Sequence, residues 1–513
     1  MRRLAFISAL AALAFGVLAP AALGAGWAKL SPDDVSGIDQ AAVVTQGARV
    51  VAAWPSGSGT DLAGSIAFRG FAPTPTASLA GASPVGTAAG GFTNVSQRPG
   101  LVVVPSGLHV VTGGTIAGQD RTHLTPPLTE GTPGAAPTVI ATQLVGALDA
   151  VALPDGGIIV ANMENGAVHA FRDAVPADGF DVQALIGGGC CSYHPALARD
   201  GAGNVWLAWY SNATGKVGIF LVRLDPATAA PIGSPVKAPQ SESPANNGFH
   251  LALACSPVAA GGCRIVYAAQ PTAIAPLRIA SWASGEAGPT TIVTRTLSLG
   301  IPLTASYRAD GKLWVAWYEP GISTGADGYF ALLGNAKGAG GGTPQKLGRP
   351  GGFVQGLDLE STPLGDNLVL VGTVVTGRPR AALWTTVVQP PDQVIENPRT
   401  IRNGPARVVA PRGVSLKNLK KTKCVRVRVT VTEPARVQVV IFSGTKSIRV
   451  FGQTTVSFAA AGTKVVCVRV PFRAKTFDAR TPAKIAIGVR RGARARAGEP
   501  KATVVTKGFR FQG

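Results

Sequence analysis

Seven short runs of β-branched, aromatic and small residues recur along this chain, and their recurrence limits the fold more than any other feature. They are Arg49–Trp54 (RVVAAW), Leu108–Gly113 (LHVVTG), Gly157–Asn162 (GIIVAN), Asn204–Trp209 (NVWLAW), Arg264–Ala269 (RIVYAA), Lys312–Trp317 (KLWVAW) and Asn367–Gly372 (NLVLVG). Their starts lie 59, 49, 47, 60, 48 and 55 residues apart. A second strand-like run and a turn precede each, as in His194–Asp200 followed by Gly-Ala-Gly. A polar loop and a third strand follow most of them, for example Lys216–Leu224 or Arg278–Trp282, and a weaker fourth strand such as Ile232–Lys237 fits before the next unit.

Four strands in such a period cannot bury both faces of their sheet alone, whereas neighbours stacked around one axis can. The period is that of a propeller blade, and seven copies predict an all-β fold with a seven-bladed β-propeller over residues 26–395. Two β-sandwiches with accidental spacing are the alternative. After its third strand, Arg380–Val388, the last unit runs into the Pro-rich stretch Gln389–Pro398 and lacks an outer strand. Trp27–Ser31 has strand character and no first-strand partner, so it is expected to supply that strand and close the ring. The 65 Gly and 39 Pro suit many short strands joined by tight turns.

The N-terminus fixes the expected compartment. Met1-Arg2-Arg3 is positive, Leu4–Leu18 is an uninterrupted apolar run, and small residues follow at Ala21, Ala22, Gly24 and Ala25. That order reads as a signal peptide over residues 1–25, with an apolar run too short to span a membrane. The first cysteine is Cys190, so no lipid-anchoring thiol stands at the cut. No second long apolar stretch occurs, and the mature chain is expected to carry no transmembrane segment. It is expected to be extracellular, free or associated with the cell wall.

Charge divides the chain. From Arg399 onward there are 26 Lys and Arg against three acids, Glu433, Asp478 and Glu499, a net of +23; the whole chain is +21, which leaves −2 for residues 1–398. Residues 389–404 are rich in Pro and polar groups, with 396–404 read as the linker. Beyond it, Val425–Thr432 alternates valine with Arg or Thr, Glu433-Pro434-Ala435 makes a turn into Arg436–Phe442, and Lys464–Val470 is a further strand. Such period-two strands over 405–513, with an internal cysteine pair, resemble a bacterial immunoglobulin-like β-sandwich. The tryptophan that packs on the disulfide of antibody domains is missing, so the resemblance is one of architecture. The basic surface suits acidic polymers or an anionic membrane, with Arg490, Arg491, Arg494 and Arg496 the densest cluster, and a merely solvated surface is the bland alternative. Export argues against nucleic acid as the main partner.

Six cysteines in an exported chain point to disulfides, in any of fifteen pairings. Cys255 and Cys263 flank a turn and could staple a hairpin; Cys424 and Cys467 sit in two strand-like runs. Cys190 and Cys191 could form a vicinal ring, or one of them could join Cys255 or Cys263.

Catalytic signatures are absent: no HExxH, phosphate loop, dinucleotide fingerprint or nucleophile elbow occurs. His194 lies close to Cys190 and Cys191, but oxidation would remove those thiolates as metal ligands; no metal and no cofactor are expected. Asp155-Gly156, Asp200-Gly201 and Asp310-Gly311 mark turns, with Trp206 and Trp314 a few residues beyond the latter two. These turns resemble degenerate Asp-box repeats of secreted bacterial sialidase-like propellers. The Ser or Thr expected two residues before each Asp is replaced by Leu153, Ala198 and Arg308, and Asp-Gly is also a common turn-making pair. The resemblance implies an arginine triad and a tyrosine nucleophile, and no arginine triad can be mapped here. Tyr318-Glu319 are neighbours on a strand and point to opposite faces.

In a propeller, the segments leading into the innermost strands converge on one rim of the channel, where loop residues on a rigid scaffold can bind. Aligning the repeats places Asp39, Arg98, Asp149, His194, His250 and Asp358 there. Tyr193 beside the cysteine pair, and Asn247 with its amide, add an aromatic surface and hydroxyl-matching groups. The expected function is therefore binding of a glycan, peptide or protein at the rim, with the basic domain holding the molecule to anionic envelope polymers. A sialidase-like glycoside hydrolase or lyase and a structural envelope component are the alternatives.

Overall fold

In a computed structural model of the protein, the described residues are 26–32, 40–57, 64–73, 79, 81–95, 98–130, 134–141, 148–164, 167–173, 175–176, 192–246, 251–258, 261–272, 275–297, 301–320, 328–377, 380–391, 398–411, 413–443, 449–470, 482–491 and 503–512. The chain forms two compact units, Gly24–Pro391 and Asp392–Gly513. Their regular structure is β throughout, apart from the helix Leu416–Thr422 and a single 3-10 turn, Pro244–Asn246, among the described residues.

The first unit contains seven antiparallel sheets among the described residues. Each of the seven sequence runs lies in the second strand of its sheet: Arg49–Gly57, Gly107–Ile116, Ile158–Glu164, Val205–Ser211, Cys263–Ala269, Leu313–Glu319 and Asn367–Gly377. The strands preceding them are Ala42–Gln46, Gly100–Val104, Leu148–Ala152, Ser192–Arg199, Leu251–Cys255, Leu303–Tyr307 and Gln355–Leu364. These first strands touch one another in cyclic order, and Gln355–Leu364 returns to Ala42–Gln46.

Packing explains why the runs are almost wholly apolar instead of alternating. Successive strand residues face opposite sides of a sheet, and both sides are covered here. Val50, Ala52 and Trp54 pack against Val369, Val371 and Leu383 of the seventh sheet, whereas Val51 and Ala53 pack against Leu101, Leu108 and Val110 of the second. Leu313, Val315 and Trp317 likewise meet the fifth sheet, and Trp314, Ala316 and Tyr318 meet the seventh. Three further clusters fill the remaining junctions, so that seven apolar layers alternate with seven sheets.

The N-terminal segment completes the seventh sheet. Ala28–Lys29 pairs antiparallel with Arg380–Val388, placing Ala28 opposite Thr385 and Lys29 opposite Trp384. Leu30 is fully buried among residues of the first and seventh sheets, and its N–H donates to the Leu383 carbonyl at 2.8 Å. The Leu383 N–H donates to Ser31 Oγ at 2.9 Å, and Arg69 of the first sheet donates to the Leu30 carbonyl, also at 2.9 Å.

The Asp-Gly turns are explained by local hydrogen bonding. Asp155, Asp200 and Asp310 each accept a hydrogen bond from the backbone N–H two residues on, at 3.0, 3.0 and 3.3 Å. Gly156 and Gly311 adopt φ of +90° and +78°, which a side chain would disfavour. All three turns sit at the ends of first strands opposite to the lead-in segments.

The second unit packs two sheets over one core. One sheet contains Pro398–Asn403, Ala406–Pro411, Cys424–Val431 and Gly462–Arg469; the other contains Gly413–Ser415, Thr503–Gln512, Pro482–Arg491, Ala435–Ser443 and Arg449–Phe458. Val408, Val427 and Val429 of the first sheet meet Val437, Val439, Ile485 and Ile487 of the second. Pro398–Asn403 falls inside the stretch read from sequence as linker. It is a strand paired with Ala406–Pro411, because Gly404-Pro405 turns the chain back on itself. Disulfides join Cys255 to Cys263 and Cys424 to Cys467. Cys190 and Cys191 lie outside the described residues, as do residues 1–25.

Candidate functional site

The seven first strands surround a cavity of about 520 Å³. Most of its wall is small or aliphatic, including Ala42, Leu101, Ala150, Leu197 and Ala254. One end differs, because Arg98, Asp149, Asp358 and Glu360 converge there together with Gln40.

The strand register sets these positions. Arg98 stands two residues before Gly100–Val104, and Asp149 is the second residue of Leu148–Ala152. Asp358 and Glu360 are two apart on Gln355–Leu364 and share its channel face, while Leu359 between them enters the apolar layer next to the sixth sheet.

Arg98 is the electrostatic hub. Its Nη2 lies 2.8 Å from Glu360 Oε1, and the two side chains are 18% and 19% exposed. Asp149 accepts from its neighbour Ala150 N–H at 2.9 Å and, across the sheet boundary, from Leu197 N–H at 2.8 Å. Asp358 is buried and hydrogen-bonded by the Gln40 side chain and by the Ala41 and Leu359 amides. These contacts tie the second sheet to the seventh, the third to the fourth, and the seventh to the first.

One guanidinium faces three carboxylates in a confined space, and the proton affinities respond. Burial drives the Asp358 carboxyl up to about 6 against the pull of Arg98. Burial, with repulsion from Asp358 and Asp149, drives Glu360 up to about 8. Asp149 is also raised by burial, in opposition to Arg98 and its two backbone donors. For Arg98, burial disfavours the cation, but Glu360, Asp149 and Asp358 outweigh it and keep the guanidinium charged. Near neutral pH, the Asp358–Glu360 pair therefore retains a proton, held more tightly at Glu360 than at Asp358, so the site can donate hydrogen bonds as well as accept them. Further along the channel, hydroxyls bridge adjacent first strands: Ser361 Oγ lies 2.9 Å from Thr304 Oγ1 and 2.8 Å from Ser306 Oγ.

The structure thus brings together three of the residues singled out from sequence, Arg98, Asp149 and Asp358. Asp39, Asn247 and His250 fall outside the described residues, and Tyr193 and His194 are described only as backbone of the strand Ser192–Arg199. Glu360 and Gln40 were missed by sequence alignment of the lead-ins. The pattern Asp358-Leu359-Glu360 held the signal for Glu360, since a period of two puts both acids on one face. Gln40 had no such signal. Among the described residues no group of three or more His, Cys, Asp or Glu side chains could hold a metal ion. His109 is a structural histidine, buried between the Thr125 carbonyl at 2.8 Å and Ser106 Oγ at 2.9 Å.

No family model matches the chain, and no curated protein does. Solved structures share broad features. The polysaccharide lyase Uly1 is similar over 71% of this chain and 99% of its own, with 10% identity and a TM-score of 0.45. A thermostable family-43 glycoside hydrolase is similar over 73% and 93%, at 10% identity and a TM-score of 0.32. AofleA from Arthrobotrys oligospora is similar over 57% and 83%, at 12% identity and a TM-score of 0.37. All three scores are below 0.5, and no site residue of this chain is assigned from them.

Proposed function

We propose that residues 26–391 are a secreted seven-bladed β-propeller that binds a glycan in the charged end of its channel, and that residues 392–513 are an immunoglobulin-like sandwich that holds the molecule at anionic envelope polymers. The observation that carries the channel reading is the convergence of Arg98, Asp149, Asp358 and Glu360 on one cavity. Sugars present hydroxyls that both donate and accept. Three acidic side chains that retain a proton among them, with one guanidinium, on small apolar walls supply both complements in fixed positions. The two disulfides suit an oxidising compartment, and no helix among the described residues is long and apolar enough to cross a membrane.

A second reading rests on the proton affinities. Two carboxyls on one strand, at about 6 and about 8, have the separation expected of a general base and a general acid. That pair would serve glycoside cleavage by hydrolysis or elimination. One experiment addresses both readings. The full chain is applied to a glycan array, each bound spot is weighed by mass spectrometry, and the Asp149→Asn and Glu360→Gln variants are run beside it. Retained sugar of unchanged mass, with affinity lost in both variants, supports binding. Cleaved sugar that persists intact with Glu360→Gln supports catalysis. A blank array, or full retention by both variants, overturns the channel as a glycan site.

A further inference from the structure

The second unit carries the same arrangement on both of its outer faces. On one sheet, Arg402 stands directly opposite Arg407, and the row continues through Thr430 to Thr463. On the other, Arg490 stands opposite Arg436, and the row continues to Ser457. All four arginines are exposed. In each row two guanidiniums are followed by hydroxyls. Beside the second row, Gly488, Gln438 and Thr455 occupy the next register position, and the missing side chain at Gly488 leaves a recess of about 250 Å³ between Arg436 and Arg490.

Like charges placed directly across a strand pair repel. Sheets normally relieve that repulsion with a carboxylate, yet none of the described carboxylates pairs with Arg436, Arg490, Arg402 or Arg407. Arg428, diagonal to Arg407 on the same face, is held below the ordinary arginine range first by burial and then by Arg407 itself, so the cations of that face feel one another. Two exposed arginines directly opposite each other across a strand pair can turn both guanidiniums toward one oxyanion.

We infer that Arg402–Arg407 and Arg436–Arg490 are two oxyanion sites for one flexible, linear, anionic polymer bearing carboxylate or phosphate groups. The reason for a polymer is the placement of the rows. The two sheets share a single core, so their outer faces point in opposite directions. A flat membrane can meet one of these faces, and a stiff duplex cannot bend around the edge between them. A flexible chain can engage both. Single-stranded nucleic acid would also bend, but it is held through stacked bases, and Val450 is the exposed large hydrophobic residue of this unit among the described residues. The inference rests on the reading of the basic unit as a polyanion binder and is independent of what the channel binds.

The test titrates the full chain with two polymers, polygalacturonate and poly(glycerol phosphate), with dextran as the uncharged control. The variants are Arg402→Gln/Arg407→Gln, Arg436→Gln/Arg490→Gln, all four together, and Lys420→Gln/Lys421→Gln, which removes two charges from the exposed end of the helix. Each arginine pair is expected to cost about 10-fold in affinity and the quadruple variant about 100-fold, as for lost charge-assisted hydrogen bonds. The salt dependence should become shallower with each pair removed. The lysine variant should change affinity less than about 2-fold. Whichever polymer shows these losses names the oxyanion. If a glutamine variant fails to fold, Arg→Lys at the same pair keeps the charge and loses the fork, and it should still weaken binding. Wild-type binding that survives all arginine variants, or falls equally with the lysine variant, overturns the two sites but leaves the basic unit as a polyanion binder. Loss confined to one face, or preference for phosphatidylglycerol vesicles or a single-stranded oligonucleotide over both polymers, overturns the wrapped-polymer assignment. No binding to either polymer overturns the reading of the basic unit itself.

Discussion

Glu360 carries an unfavourable charge in the channel. Its proton affinity in the folded protein, about 8, lies above its ordinary value of 4.5 because burial and two neighbouring carboxylates oppose ionisation. The folded state therefore keeps a proton that the unfolded chain releases between those values. The resulting stabilisation is complete below about 4.5 and is lost as pH rises through about 8. Asp358, raised to about 6, acts with the same sign over a lower window. The expected outcome is a melting temperature for residues 26–391 that falls between pH 5.5 and 8.5, followed by calorimetry. Glu360→Gln should flatten much of that slope, since the amide is neutral at every pH and keeps the side chain's shape. An unchanged slope in the variant would mean that Glu360 is not the group that titrates.

Among the elements, the two-residue strand Ala28–Lys29 holds a role out of proportion to its length. Its pairing with Arg380–Val388 gives the seventh sheet an outer strand drawn from the other end of the unit. Leu30 and Trp27 anchor it, Leu30 between the first and seventh sheets and Trp27 against Tyr329, with ring centroids 4.7 Å apart. Removing the fully buried Leu30 side chain deletes its transfer energy and opens a cavity at the junction where the ring closes. Leu30→Ala is expected to destabilise the first unit by about 2–5 kcal/mol, measured by denaturant unfolding. A midpoint that does not move would show that the segment decorates the ring without closing it.

At the scale of the whole first unit, stability is a property of neighbours. Each sheet contributes side chains to two apolar layers, so no layer belongs to one sheet. Excising the seventh sheet, residues 355–388, would uncover the first sheet's Val50, Ala52 and Trp54 and the sixth sheet's Trp314 and Ala316 together. The chain is then expected to expose two apolar faces and to bind a hydrophobic dye or associate, as read by fluorescence and light scattering. A monomer that melts cooperatively near the original temperature would argue that six sheets can close without the seventh.

The repeat, and with it the second strand of every sheet, was legible because periodicity is a local property. A strand buried on both faces must be apolar at nearly every position, and seven such runs at similar spacing announce themselves in Arg49–Trp54 or Lys312–Trp317. The valine alternation of Val425–Thr432 was legible for the same reason, with one face on the core and the other half-buried. The candidate site was only half legible. Aligning the lead-ins brought Arg98, Asp149 and Asp358 to one rim. Glu360 lay one period further along its strand, and Gln40 entered because the first and seventh sheets meet. Sequence also treated 396–404 as a connection, since Pro and polar residues describe a strand on a sheet edge as well as they describe a linker. What tertiary structure decided was proximity: which carboxylates share one guanidinium, and which arginines face each other across strands. Those distances follow from ring closure and strand register, which no local stretch of chain encodes.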